Sequence, residues 1–275
     1  MTKQQIGFIG GGNMASSLIG GLVSNGYPAD SIMVSDLDAE KRAYLSETFG
    51  VKALADSASV VALADILVLA VKPQVMQGVA NSIRAAVQKK KPVVVSIAAG
   101  IRVDALERWL GEGLAVVRCM PNTPALVKTG ATGLYANAQV DDNQKDQVES
   151  LLRAVGVTVW VSSENDLDAV TALSGSGPAY FFMVMEALEE AAIAAGLDPK
   201  VAQLLTQETA LGSAKMALES SESAGVLRQR VTSPGGTTER AIGILEEKGL
   251  KDIFNQAVLA AKQRSVELSD ELGKS

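Results

Sequence analysis

The 275-residue sequence contains no histidine and a single cysteine, Cys119. Without an imidazole, Ser-His-Asp triads, histidine metal sites and histidine proton shuttles are all excluded. The sequence otherwise gives no reason to expect a metal. One thiol cannot form an intrachain disulfide, which agrees with a reducing, cytoplasmic location. Aromatic residues make up only 4% of the chain, while the apolar total is 47%. The core must therefore be built largely from Ala, Val and Leu, a composition suited to helices packed closely on sheets. Cations are in the minority, 25 Lys and Arg against 31 Asp and Glu, for a net charge of −6. A nucleic-acid surface needs clustered cations, so no nucleic-acid partner is expected. The basic run Lys89-Lys90-Lys91 reads as a solvated helix end. Long apolar runs are missing as well. Ile66–Val71 falls far short of the roughly 20 residues of a membrane span, and Met1-Thr2-Lys3-Gln4-Gln5 lacks the apolar stretch of a signal peptide.

At about 150 residues per domain, this length predicts roughly two domains. In the first half, short apolar runs of strand length (Ile6–Ile9, Ile32–Val34, Ile66–Val71, Val93–Ala98, Ala115–Val117 and Val157–Val161) alternate with helical segments near residues 14–25, 39–49, 74–87, 103–110 and 142–154. Buried strands alternating with helices predict a doubly wound parallel sheet of the α/β class. From about residue 163 the pattern is all helix, interrupted at Ser174-Gly175-Ser176-Gly177-Pro178. The expected division is 1–162 and 163–275. Helix Ala179–Ala195 is apolar on nearly every face, which in so small a domain predicts burial against another chain.

Between the first strand and the first helix stand Gly10-Gly11-Gly12-Asn13-Met14-Ala15, the dinucleotide pattern G-x-G-x-x-G/A. The first glycine permits a tight turn, the second lets backbone approach a pyrophosphate, and the small last residue lets helix pack on strand. The phosphates then meet N–H groups and the positive end of the helix dipole. The flanking strand and helix, and a second strand at the expected distance, raise the motif above a chance match. Asp36 sits where an acidic side chain accepts hydrogen bonds from ribose hydroxyls and would repel a 2′-phosphate. Ser35, Lys41 and Arg42 are near enough to hold one, so NADH and NADPH both remain open. Ala70-Val71-Lys72-Pro73 and Ala98-Ala99-Gly100 end two strands and are expected to line the nicotinamide side, because loops beyond the carboxyl ends of parallel strands form the ligand crevice.

Read in order, the glycine loop, Val71-Lys72-Pro73, Ser96–Gly100, Arg118-Cys119-Met120-Pro121-Asn122-Thr123-Pro124, Ser174-Gly175-Ser176-Gly177-Pro178-Ala179-Tyr180 and Thr232-Ser233-Pro234-Gly235-Gly236-Thr237-Thr238 resemble pyrroline-5-carboxylate reductase over nearly the whole chain. The resemblance implies an N-terminal Rossmann domain and an all-α dimerisation domain. It also implies a homodimer that assembles further into rings, and NAD(P)H-dependent reduction of the C=N bond of 1-pyrroline-5-carboxylate to L-proline. It implies that Ser233–Thr238 forms the substrate loop, with the N–H groups around Gly235, Gly236 and Thr237 on the carboxylate and Thr238 on the ring nitrogen. Ser174 and Ser176 would line the pocket beside the nicotinamide, and Glu164 would stand near the substrate. Ser176, Ser233 and Thr238 are the catalytic candidates. The chemistry asks for little more. A ring iminium already carries its proton, so a hydroxyl that orients the nitrogen suffices. Holding the reacting carbons together would supply most of the rate gain. Asp36 departs from the serine, threonine or basic residues that many members carry there, which argues against a strict NADPH preference.

Two other readings compete. A beta-hydroxyacid dehydrogenase or imine reductase of the same two-domain build would want a helix lysine in the second domain. Lys215 is the mid-helix candidate, with no supporting pattern around it. A non-catalytic NAD(P)-binding protein would not need the Ser233–Thr238 loop. Cys119 has no base to activate it and reads as a small packing residue.

Overall fold

The computed structural model describes residues 4–273. Of the segment expected to lack a signal sequence, Met1, Thr2 and Lys3 lie outside the described residues. Packing divides the chain into two compact units: the chain up to Ser176 together with the chain from Ala260 onward, and Gly177–Leu259.

The first unit is built on an eight-stranded sheet of order β3-β2-β1-β4-β5-β6-β7-β8. The strands are β1 (Ile6–Ile9), β2 (Ile32–Ser35), β3 (Lys52–Leu54), β4 (Ile66–Leu69), β5 (Val93–Ser96), β6 (Val116–Met120), β7 (Gly130–Ala136) and β8 (Gly156–Trp160). The α/β, doubly wound architecture is the one expected. In β1, β2, β4 and β5 every residue is buried, because helices cover both faces of the sheet. Side chains alternate between two cores. Phe8, Val34, Val68 and Val117 join Leu18 and Ile19 of α1 (Asn13–Ser24) and Leu151 of α6 (Asp142–Arg153). Ile9, Leu67, Leu69 and Val94 join Val60 of α3 (Ser57–Leu63), Met76 and Ile83 of α4 (Pro73–Lys90), and Leu106 and Trp109 of α5 (Val103–Leu110). Helix α2 (Ala39–Phe49) is capped by Asp38, whose carboxylate accepts from the N–H groups of Glu40 and Lys41. Asp141 and Gln144 form a capping box at α6.

Four elements depart from the expectation. β3 and α3 are short and were not anticipated. β7 pairs antiparallel with β6, so the sheet is mixed rather than wholly parallel. The sequence of β7, Gly-Ala-Thr-Gly-Leu-Tyr-Ala, is too small and polar to read as a buried strand. Yet Gly133 is required there: a Cβ would stand 2.7 Å from Val170 Cγ1. β8 is also not a buried strand, since Val157 and Val159 are exposed.

Residues 163–176 stay with the sheet, so packing changes after Ser176 rather than after residue 162. α7 (Asp166–Val170) runs into a π-helical turn, Thr171–Gly175. The Ser174–Pro178 segment, expected to interrupt the helix, holds the end of this wide turn, a bend at Ser176 and the first residues of α8. The second unit holds α8 (Gly177–Ala194), α9 (Pro199–Glu219), α10 (Ala224–Arg230), α11 (Thr237–Glu247) and the start of α12 (Leu250–Gly273). On α8, Phe181, Phe182 and Met183 are 68%, 64% and 72% exposed, leaving its apolar faces uncovered within one chain.

Candidate active site

The sheet order reverses direction between β1 and β4, the switch point where doubly wound folds bind ligands. Gly10 stands there with φ +97°, a conformation that favours glycine. Its N–H donates to the Ser35 carbonyl at 2.8 Å. A Cβ on Gly10 would lie 2.7 Å from the Ala70 carbonyl oxygen. The ends of β1, β2 and β4 are thus drawn together at a point where no side chain fits.

Gly12 is the N-cap of α1, and no side chain caps that helix. A Cβ on Gly12 would meet nothing within 4 Å. The first N–H groups of α1, beginning at Asn13 and Met14, therefore meet no capping side chain, and Gly12 leaves the space beside its own Cα open. Uncapped donors, a helix dipole and a missing Cβ fit a dinucleotide pyrophosphate.

At the end of β2, both oxygens of Asp36 are held by backbone. The Gly11 N–H donates to Oδ2 at 2.8 Å, and the Asp38 N–H donates to Oδ1 at 2.9 Å. The carboxylate is thereby fixed beside the glycine loop, as hydrogen bonding to the ribose would require. Arg42 Nη1 donates to the carbonyls of Asp36 at 2.8 Å and Leu37 at 2.9 Å, which anchors a guanidinium on the same loop. Lys41 points to Asp38 at 4.0 Å. Ser35 is buried, and its hydroxyl meets that of Ser57 at 3.0 Å.

After β4, Ala70 and Val71 are half-buried, Lys72 is exposed as the N-cap of α4, and Pro73 is its first residue. After β5, Ala98 and Gly100 are buried while Ala99 is exposed. Gly100 has φ +73°, and a Cβ there would lie 3.0 Å from Leu272 Cδ1, so the last turns of α12 close over this loop.

Glu164 lies between β8 and α7. Its Oε1 accepts from the Val103 N–H at 2.9 Å, at the start of α5, and from Arg118 Nη1 at 3.0 Å. Below it, buried Asp168 takes hydrogen bonds from Ser265 Oγ at 2.7 Å and Arg102 Nη2 at 3.2 Å. The π-helical turn carries Ser174 and leads into Ser176, whose N–H donates to the Thr171 carbonyl at 2.8 Å. Such turns concentrate at functional sites. Asn122 clamps this one: its Nδ2 donates to the Ser174 carbonyl at 3.0 Å, and its Oδ1 accepts from the Ala131 N–H at 2.9 Å. Gly175 packs on Met120, where a Cβ would stand 2.7 Å from Cε. Arg118 and Asn122 lie inside a motif visible in the sequence, but nothing in their spacing marked them as partners of residues 164 and 174.

In the second unit, Ser233–Thr238 forms a turn that opens α11. The Gly236 N–H donates to the Ser233 carbonyl at 3.0 Å, and Gly235 has φ +73°. The N-cap is Gly236 and no side chain caps the helix, so Thr237 and Thr238 are its first residues rather than its caps. Their hydroxyls are therefore not consumed by capping. Glu239 Oε2 accepts from the Gly235 N–H at 2.8 Å. The described residues thus bring the cofactor candidates together in the first unit and the substrate-loop candidates together in the second.

Cys119 is buried, and burial pushes its thiol well above the usual range against the weaker opposing pull of the Arg118 charge. It is a packing residue, as the sequence suggested.

Comparison with known proteins follows the same division. The sequence model for pyrroline-5-carboxylate reductase dimerisation matches residues 164–268, and the model for NADP oxidoreductase, coenzyme F420-dependent, matches residues 5–100. A pyrroline-5-carboxylate reductase of Pseudomonas aeruginosa is 51% identical over 274 residues, covering 100% of both chains. The solved structure of a pyrroline-5-carboxylate reductase from Coxiella burnetii superposes with a TM-score of 0.94 at 47% identity, covering 97% of this chain and 98% of that one. The Plasmodium falciparum pyrroline carboxylate reductase, solved with NADP bound, gives a TM-score of 0.86 at 28% identity, covering 98% and 99%. With a relative so similar along its full length, and with a dinucleotide loop and a helical second unit in the expected order, the chain belongs to the pyrroline-5-carboxylate reductase family.

Proposed function

We infer that this chain reduces the C=N bond of 1-pyrroline-5-carboxylate to give L-proline, using NAD(P)H. The observation that carries the reading is the pairing, in one family chain, of a side-chain-free glycine turn at the switch point with an uncapped Ser233–Thr238 turn. A protein that only bound the dinucleotide would need the first and not the second. The bound dinucleotide supplies the hydride.

The protein's own contribution is positioning. The α1 N–H groups and the Gly10–Gly12 backbone hold phosphate, and the loops at Ala70–Pro73 and Ala98–Gly100 support the nicotinamide side. Backbone N–H groups at Thr237 and Thr238, at the uncapped start of α11, receive the substrate carboxylate, while those of Gly235 and Gly236 are held by Glu239 and the Ser233 carbonyl and order the turn. Thr238 hydrogen-bonds the ring nitrogen, while Ser174 and Ser176 line the pocket and Glu164 stands beside it. Ser233 orders the turn through its carbonyl. The substrate arrives as an iminium, so its nitrogen already carries a proton. Hydride addition to carbon then yields the neutral amine, with no proton demanded from an imidazole that the chain lacks.

The functional division follows residues 1–162 for the dinucleotide and 163–275 for substrate and dimerisation, which the matched region 164–268 supports. Exposed Phe181, Phe182 and Met183 support a homodimer in which α8 is covered, with dimers able to assemble into rings. The free buried thiol is compatible with the cytoplasm. No metal is assigned a role. The backbone-held Asp36 favours ribose hydroxyls, and the anchored Arg42 leaves NADPH usable, so both cofactors are accepted.

The test is an absorbance assay. Purified protein should oxidise NADH and NADPH only when pyrroline-5-carboxylate is present. Thr238→Ala should lower turnover far more than dinucleotide affinity. Binding of both dinucleotides without turnover would overturn the reading.

A further inference from the structure

Arg118 is a charged side chain buried in the first unit, at 2% exposure, and the mechanism above does not use it. It sits in β6, paired with Ser96 of β5 and Tyr135 of β7. A guanidinium is always charged, and its desolvation is repaid only by well-placed partners. An apolar residue would fill this strand position at lower cost, so stability alone does not account for it.

Its partner is Glu164, whose side chain is only 19% exposed. One oxygen of that carboxylate, Oε1, takes both the Arg118 and the Val103 hydrogen bonds. The other, Oε2, accepts no hydrogen bond from the described residues. Two donors from two elements, β6 and α5, therefore fix the carboxylate through one oxygen and leave the second for a ligand.

We propose that Arg118 is a positioning residue for the reduction: it fixes Glu164 so that the carboxylate's unpartnered oxygen meets the cationic ring of the substrate. This rests on the reading that Glu164 lines the substrate pocket. Arg118 itself touches neither substrate nor dinucleotide. Lysine is a poor replacement, because a compact ammonium on a flexible stem does not reproduce the planar, directional donors of the guanidinium.

A double-mutant cycle tests this, with KM and kcat for pyrroline-5-carboxylate and the dinucleotide Kd measured on wild type, R118Q, R118K, E164Q and R118Q/E164Q. R118Q should raise the substrate KM about tenfold, with R118K between it and wild type, while the dinucleotide Kd stays within about twofold. On the E164Q background R118Q should add less than about twofold, because the residue through which it acts is already neutral. Effects that multiply in the double variant, or a dinucleotide Kd that moves in step with KM, would overturn the proposal. If R118Q does not fold, R118K and R118K/E164Q carry the same comparison with the same deciding outcomes. If wild type turns over but E164Q leaves KM unchanged, Glu164 is not in the substrate pocket and the proposal fails, while the reductase assignment stands. Absence of wild-type turnover would instead remove the assignment itself.

Discussion

Replacing Gly12 with alanine separates what the glycine loop does for the fold from what it does for the cofactor. At Gly12 the backbone has φ −73° and ψ −177°, which alanine adopts freely, and the added Cβ meets nothing within 4 Å. Two small effects on stability oppose each other. Restricting the unfolded chain stabilises by about 0.4–1 kcal/mol. Alanine is a poorer N-cap than glycine, at a cost of about 0.5–1 kcal/mol. The net change should stay within about 1 kcal/mol, or about 2–4 °C in Tm. Dinucleotide binding should respond very differently. The methyl group would stand between the α1 N–H groups and the phosphates. Losing two charge-assisted hydrogen bonds at about 1.5 kcal/mol each gives about 3 kcal/mol, or roughly a hundredfold in Kd. Gly10→Ala is the contrast. Its φ of +97° and the 2.7 Å approach to the Ala70 carbonyl oxygen involve backbone on both sides, which cannot yield as a side-chain tip would. The left-handed conformation alone costs about 1–2 kcal/mol, so Tm should fall clearly. Thermal unfolding by circular dichroism and a fluorescence titration with NADPH measure both quantities. A Gly12→Ala protein that keeps its Tm and binds NADPH within about threefold of wild type would refute the argument that Gly12 faces the phosphates.

Removing the Asn122 clamp with Asn122→Ala leaves the Ser174 carbonyl and the Ala131 N–H without their partner, at about 1–3 kcal/mol each, and should lower both Tm and kcat. Asn122→Asp keeps the acceptor for Ala131, so it should recover part of the Tm while kcat stays low. Asp65 is partly buried, which opposes its ionisation, but the Gln5 N–H and Lys90 outweigh burial and hold its carboxyl below the usual range. Its stabilisation is therefore present above the unfolded pKa of about 3.9 and is lost as pH falls through the lower folded value. Asp65→Asn should cost about 0.5 kcal/mol at pH 7, the size expected of a half-exposed pair, and the gap in urea midpoint should close below about pH 4. An unchanged gap at acid pH would contradict that account. Cys119, with its thiol raised by burial, should resist an aromatic disulfide reagent at pH 8 in the native protein and react at once in urea. Fast native labelling would show that β6 opens.

The continuous apolar runs of β1, β4 and β5 were legible because a strand buried on both faces has no polar alternation to obscure it. The glycine loop was legible because Gly10 answers a local demand of backbone geometry and the glycines beside it follow at the spacing a pyrophosphate needs. β7 was not, since its small and polar residues become a strand only through pairing with β6 and packing against α7. Nor was the π-helical turn. The sequence Ser174-Gly175-Ser176-Gly177-Pro178 reads as a break, and the break falls at Ser176, but the wide turn before it depends on Asn122 and Met120, which hold Ser174 and Gly175.

The sequence by itself determined the class of chemistry. The absence of histidine is a property of the whole composition, the loop at Gly10–Ala15 takes its meaning from neighbours only a few residues away, and the part given to Ser233–Thr238 comes from the family resemblance. Tertiary structure decided the pairings between distant residues. It gave Asp36 to the Gly11 N–H, Glu164 to Arg118 and Val103, Asp168 to Ser265, and Asn122 to the turn at Ser174. The first, second and last depend on which strand ends the sheet order brings side by side, and the Asp168–Ser265 bond on where α12 meets α7; both are set by packing of the whole core rather than by any local pattern.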